Sequence, residues 1–140
     1  MPVKFIFSEA KITLPERRRL KGFIEGLLRA NRKKLRTLTY IFCSDPFLLE
    51  INKQFLKHDY YTDIITFNLA APGEEIEGEI YISVDSVKDN AKNLSVSIQE
   101  ELHRVVFHGA LHLCGYKDNA PEEKKRMRAA EEKCIKAYFQ

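Results

Sequence analysis

The chain has 140 residues, 44% hydrophobic and 31% charged, which suits one soluble globular domain with a core of its own. Lys and Arg number 23 against 20 Asp and Glu, and the resulting net charge of +3 is too small to define a nucleic-acid binder by composition. The apolar stretches fall short of a membrane span, and Met1–Phe7 lacks the length and cleavage region of a signal peptide, so a cytoplasmic protein with no membrane partner is expected.

In chain order, Val3–Phe7 alternates and is rich in β-formers, which predicts a strand. Leu14–Asn31 places Leu20, Phe23, Ile24, Leu27 and Leu28 on one helical stripe, with Pro15 in the first turn. Leu38–Cys43 reads as a second strand, and Ser44 or Asp45 followed by Pro46 starts a short helix through about Phe55. Ile64–Leu69 and Gly78–Ser83 are strands separated by an acidic turn that opens at Ala71-Pro72-Gly73. Helices are expected over Asp85–Leu94, Ile98–Cys114 and Pro121–Phe139. The order βαβαββααα predicts an α+β fold, a small mixed four-stranded sheet covered by about five helices. Met127, Ala130, Cys134, Ile135 and Tyr138 give the last helix an apolar stripe, and Glu122 to Arg126 read as its solvated face.

Charge is uneven along the chain. Arg17, Arg18, Arg19, Lys21, Arg29, Arg32, Lys33, Lys34 and Arg36 crowd the first helix and its exit. Arg17, Arg18, Lys21, Arg29 and Lys33 form a basic face suited to RNA phosphates, although a merely solvated surface has the same composition. Cys43, Cys114 and Cys134 form no CxxC pair, which fits free thiols in a reducing compartment.

The most informative segment is His108-Gly109-Ala110-Leu111-His112-Leu113-Cys114-Gly115-Tyr116-Lys117-Asp118. Histidines four apart share one helix face. Gly115 permits the left-handed conformation that ends a helix and reverses the chain, which returns Asp118 toward the imidazoles. Two imidazoles and a carboxylate with one open position make a catalytic zinc site, and the spacing matches the extended zincin motif with Asp in place of the third His. A bare H-x3-H is more often a pair of half-buried helix residues; the glycine and aspartate at these offsets favour the metal. Iron and nickel suit the same donors. The glutamate that serves H-E-x-x-H peptidases as general base is replaced by Gly109, which argues against peptide substrates. Cys114, two residues after His112, points off the metal face. Glu101, seven before His108, shares its face and is placed to support the ligands; His103, five before, is structural.

Residues 49–69 form a second constellation, in which His58, Asp59, Tyr60, Tyr61, Thr62 and Asp63 precede an apolar strand. Lys57 and His58 are suited to phosphate, and Tyr60 or Tyr61 to stacking on a base; Thr62-Asp63 also suits a tightened turn. Thr62–Phe67 (TDIITF), Gly78–Ser83 (GEIYIS) and His108–Asp118 (HGALHLCGYKD), in this order and spacing, resemble the YbeY family, zinc-containing endoribonucleases of bacterial ribosomal RNA maturation. The family's common forms are T-D-V-L-S-F and HGxLHLxGYDH. The resemblance implies one YbeY-like metal-dependent hydrolase domain over residues 1–140, with the metal at the end of the histidine-bearing helix. It further implies His108 and His112 as ligands of one zinc ion per chain. The family's third ligand is a histidine ten residues after the first, a position held here by Asp118, with Asn119 the next candidate. The family arginine after the L-N pair aligns with Leu56, with Lys57 beside it.

The resemblance thus implies a metal-dependent endoribonuclease specific for single strands, acting on ribosomal RNA at the 16S 3′ end and in ribosome quality control, with the small subunit as partner. Lys57 is the candidate cation for the transition state, and the basic helix would position the strand. Candidates for the general base are the metal-bound hydroxide, the substrate 2′-hydroxyl and His58. The rival reading is a ribosome-associated RNA-binding factor without catalysis that keeps zinc for stability.

Overall fold

The computed structural model describes residues 2–56 and 62–140. Its elements are β1 (Val3–Phe7), α1 (Arg17–Ala30), β2 (Leu35–Cys43), α2 (Asp45–Ile51), a π-helical turn (Asn52–Leu56), β3 (Ile64–Asn68), β4 (Ile76–Ser83), α3 (Val84–Leu94), α4 (Ile98–Leu113) and α5 (Pro121–Tyr138). The sheet order is β1-β2-β4-β3, with β1, β2 and β4 parallel and β3 antiparallel to β4. The expected α+β architecture, a mixed four-stranded sheet with five helices, is present.

Three helix starts follow from local chemistry. Ser44, Ser83 and Ser97 sit in extended conformation before α2, α3 and α4, and each hydroxyl accepts a backbone N–H three residues on, from Phe47, Ser86 and Glu100. The first helix is the exception to the expected boundaries. It begins at Arg17, because Glu16 adopts φ 50, ψ 48, a left-handed conformation that a right-handed helix cannot include. Pro15 therefore precedes the helix, and Leu14 is buried as part of the core instead. β2 and β4 also start earlier than local sequence predicts, because Leu35 and Ile76 pair with each other.

Alternation along the strands divides the sheet. Val3, Leu38, Tyr40, Phe42, Ile80 and Ile82 join the main core, which Leu20, Ile24 and Leu28 of α1 and the apolar side of α4 complete. The opposite face has a smaller cluster in which Cys43, Leu48 and Ile65 are buried against Ile51, Phe67 and Tyr81. α4 is the central helix: Leu102, Val106, Phe107 and Leu111 are almost wholly buried, and each contributes about 1.5–3 kcal/mol. It packs against the sheet, α1, α3 and α5. The Tyr40 hydroxyl donates to the Val106 carbonyl at 2.9 Å and fixes the helix's height over the sheet. Gly109 fixes its depth, since a Cβ there would lie 2.8 Å from Ile80 Cδ1, 3.0 Å from Ile80 Cγ2 and 3.1 Å from Ile64 Cδ1.

Candidate metal centre

His108 and His112 lie in the last turns of α4, one helical turn apart, with ring centroids 4.7 Å apart and planes at 78°. The helix ends in a Schellman reversal. Gly115 has φ +106, its N–H donates to the His112 carbonyl, and the Tyr116 N–H reaches back to the Leu111 carbonyl. The chain then turns past the helix end and brings Asp118 Oδ2 to 3.7 Å from His108 Nε2. The Glu123 carboxylate holds this loop by accepting the N–H groups of Ala120 at 2.8 Å and Asn119 at 3.2 Å. Glu123 therefore caps α5, a role beyond the solvated face expected for this run. One donor atom each from His108, His112 and Asp118 lies within 4.8 Å of the others.

The imidazole of His108 is oriented from behind. Its Nδ1–H donates to Glu131 Oε2 at 2.6 Å, which leaves Nε2 facing Asp118. This carboxylate–histidine pairing is the arrangement that fixes tautomer and ring orientation in metal sites. Glu131 is buried on α5 and its other oxygen lies 3.8 Å from Arg104 Nη1. Arg104 also pairs with Glu100, Glu101 and Glu132, so one guanidinium ties the acids of α4 and α5 together. Burial pushes His108 toward neutrality, but the hydrogen bond to Glu131 and the charges of Glu131, Asp118 and Asp63 outweigh it and raise its pKa. His112 is shifted down by burial and by His108. Burial raises the Glu101 carboxyl, with Arg104 opposing.

The site opens into a cavity of about 360 Å³ lined by acids and ligands: Asp63, Glu101, His108, His112, Asp118 and Glu131. Two neutral-capable imidazoles, one carboxylate and a buried supporting carboxylate suit a divalent cation, whose charge would offset these acids. Asn119 lines the same cavity but does not join the three-donor group.

The sequence model of the endoribonuclease YbeY family matches residues 6–139. This chain belongs to the endoribonuclease YbeY family. The protein named Endoribonuclease YbeY in Cytophaga hutchinsonii is 46% identical over 129 residues, covering 91% of this chain and 90% of that protein. Its counterpart in Bacteroides thetaiotaomicron is 40% identical over 135 residues, covering 96% and 98%. Among solved structures, the solution structure of TM1509 from Thermotoga maritima superposes with a TM-score of 0.67 at 27% identity, covering 98% of this chain and 89% of that one.

Within this YbeY-family fold, His108, His112 and Asp118 come together as expected, and Glu101 lines their cavity. His103 is structural: buried, its Nδ1 lies 2.7 Å from the Gln99 carbonyl and its ring stacks on Tyr138. Cys114 packs against the core, and burial pushes its thiol up to about 11. The Thr62 hydroxyl donates to the Ile64 carbonyl at 3.4 Å, a local turn bond. Lys57, His58, Asp59, Tyr60 and Tyr61 lie outside the described residues. Leu56 is exposed at the end of the π-helical turn.

The basic residues are not brought to the three-donor group. None of Arg17, Arg18, Lys21, Arg29 and Lys33 lines its cavity. α1 packs on β1 and α4, at the sheet edge opposite β3, three strand spacings or about 14 Å across the sheet. Arg17 lies over the Phe7 ring at 4.8 Å and Lys21 over Phe5 at 5.6 Å, while Arg18, Arg29 and Lys33 are exposed. Sequence reasoning missed Glu131 and Arg104 as parts of the site, whereas Thr62 and Asp63 of the second constellation do line its cavity. Glu131 did carry a signal: it stands four after Met127 and three before Cys134, an acid on an apolar helix stripe.

Proposed function

We propose that this protein is a metal-dependent endoribonuclease that cleaves single-stranded RNA, with ribosomal RNA as substrate, acting at the 16S 3′ end in maturation and in ribosome quality control. The observation that carries this reading is the His108–His112–Asp118 group, backed by Glu131, in a chain of the endoribonuclease YbeY family. Gly109 supports it from the other side. The position that holds the peptidase base in H-E-x-x-H enzymes is packed against Ile80 and Ile64, without space for a side chain.

His108, His112 and Asp118 would hold one zinc ion, which when bound supplies Lewis-acid charge for a phosphoryl oxygen and lowers the pKa of water. Glu131 keeps His108 presented through Nε2 and keeps its Nδ1 occupied. Asp118 places a negative charge where the family has a neutral histidine, which makes the site a weaker acidifier of water and gives substrate polarisation more weight. Arg104 lines the cavity yet is committed to carboxylates, so the transition-state charge falls to other groups. Lys57 and His58 are our candidates for that charge and for proton transfer, since they closely precede Thr62 and Asp63 of the cavity. The exposed cations of α1 would meet RNA phosphates away from the reacting centre. No helix among the described residues is long and apolar enough to cross a membrane. The cysteines of the described residues are free, which suits the reducing cytoplasm we infer for this protein.

The decisive assay compares zinc-loaded wild type and His112→Ala, both shown to be folded, on a single-stranded ribosomal RNA fragment. Cleavage by the wild type alone is expected. Equal cleavage by both, or none by either, overturns the catalytic reading. Leu56 at the family arginine position favours one second reading, the zinc-stabilised RNA-binding factor, which would bind the fragment without cutting it.

A further inference from the structure

The metal cavity does not end at His112. A second cavity of about 310 Å³ adjoins it, lined by Ile64, Thr66, Asn68, His112 and Leu113. Ile64 and His112 line both. One wall is β3, the terminal strand of the sheet, which is hydrogen-bonded to β4 on one side. The Asp63 carbonyl accepts the Ser83 N–H, and the Leu69 N–H donates to the Glu77 carbonyl. Odd-numbered residues of this stretch therefore turn their backbone groups toward β4. The antiparallel ladder alternates, so the N–H and C=O groups of Ile64, Thr66 and Asn68 face the outer edge, where no strand pairs with β3 among the described residues and the Thr62 hydroxyl reaches the Ile64 carbonyl.

Asn68 adds an oriented donor. Its Oδ1 accepts two backbone N–H groups, from Ala70 at 3.1 Å and Glu77 at 3.4 Å. Because both neighbours are donors, the amide oxygen must face them, which leaves the Nδ2 hydrogens to donate elsewhere. The two cavities differ in chemistry. Asp63, Glu101, Asp118 and Glu131 line the first, whereas among the described residues no carboxylate lines the second. Edge N–H groups, the Asn68 amide and the Thr66 hydroxyl offer donors there, beside the apolar Ile64 and Leu113. An acceptor-rich ligand with an apolar face suits that wall.

We propose that this second cavity is a nucleotide subsite, which holds the nucleotide next to the scissile phosphate of single-stranded RNA. Asn68 Nδ2 and the Thr66 hydroxyl donate to its phosphate or base oxygens, and Ile64 and Leu113 pack on its sugar or base. This inference rests on the endoribonuclease reading and names where that substrate lies: along the outer edge of β3, leading away from the metal past His112. The edge replaces sequence-specific contacts with backbone and amide donors, so the subsite reads RNA with little base preference.

Asn68→Asp separates the two jobs of the side chain. An aspartate keeps an acceptor for Ala70 and Glu77 and puts a negatively charged oxygen where the amide donated. Thr66→Val removes the hydroxyl and keeps a β-branched strand residue. Both would be tested on the zinc-loaded full chain with a fluorescein-labelled single-stranded RNA oligonucleotide, by anisotropy and steady-state cleavage. Asn68→Asp is expected to weaken RNA binding about tenfold or more, and Thr66→Val several-fold. KM should rise more than kcat falls, with zinc affinity and melting temperature close to wild type. RNA binding and KM unchanged in both variants would overturn the subsite while wild-type cleavage leaves the ribonuclease reading standing. A wild type that neither binds nor cleaves the oligonucleotide would overturn both.

Discussion

Glu131→Gln isolates the support behind His108 with almost no change in shape. The wild-type contact is a 2.6 Å charge-assisted hydrogen bond from Nδ1 to a buried carboxylate, itself 3.8 Å from Arg104. Glutamine can still accept from Nδ1, but the bond becomes a neutral one of roughly half the strength. It also lets the amide nitrogen turn toward His108, which would break the bond. Partners of metal-bound histidines typically govern about 10–100-fold in metal affinity, or about 1.4–2.7 kcal/mol. We expect zinc affinity to fall within that range, measured by competition with a chromophoric chelator at pH 7.5. Circular dichroism of the metal-free protein should show an unchanged fold, because Arg104 keeps Glu100, Glu101 and Glu132 as partners. Zinc affinity within twofold of wild type, with the fold intact, would refute a supporting role for Glu131.

Two further outcomes follow from packing and burial. Gly109→Ala gains about 1 kcal/mol of helix propensity but forces a methyl group against Ile80 and Ile64, at a cost of about 1–3 kcal/mol. Ile80 Cγ2 lies on the branched carbon of a strand residue and cannot swing away, so the melting temperature should fall by a few degrees; a rise would show that α4 has slack over the sheet. For His103, burial lowers the pKa, as does Arg19, against the hydrogen bond to Gln99. Below about pH 6.5 the unfolded chain therefore binds a proton that the folded chain refuses, and this contribution to stability is lost as pH falls. The drop in melting temperature from pH 7.5 to 5.5 should be smaller in His103→Phe than in wild type, and an equal drop would place the acid sensitivity elsewhere.

Much of the candidate metal centre was legible in the sequence because its geometry is local. The i, i+4 spacing puts His108 and His112 on one face of α4, and a positive-φ Gly115 returns the chain within six residues of His112. Ser44 marked the start of α2 for the same reason, and the caps at Ser83 and Ser97 follow the same local chemistry. The start of α1 was misplaced because nothing in the composition of Leu14–Arg17 announces the left-handed Glu16.

The sequence by itself determined the paired histidines, the spacing of the candidate donors and the order of strands and helices, since these depend on neighbours within a turn or two. Tertiary structure alone decided what surrounds the donors. Glu131 comes from 23 residues after His108, and α5 must pack on α4 before their side chains can meet. Gly109 looked like a missing base, and the fold shows it as the point where α4 presses on β3 and β4. The terminal place of β3 among the described strands, and with it the edge beside His112, depends on which strands pair. Pairing is a long-range choice made by burial across the whole sheet, so no window of sequence contains it.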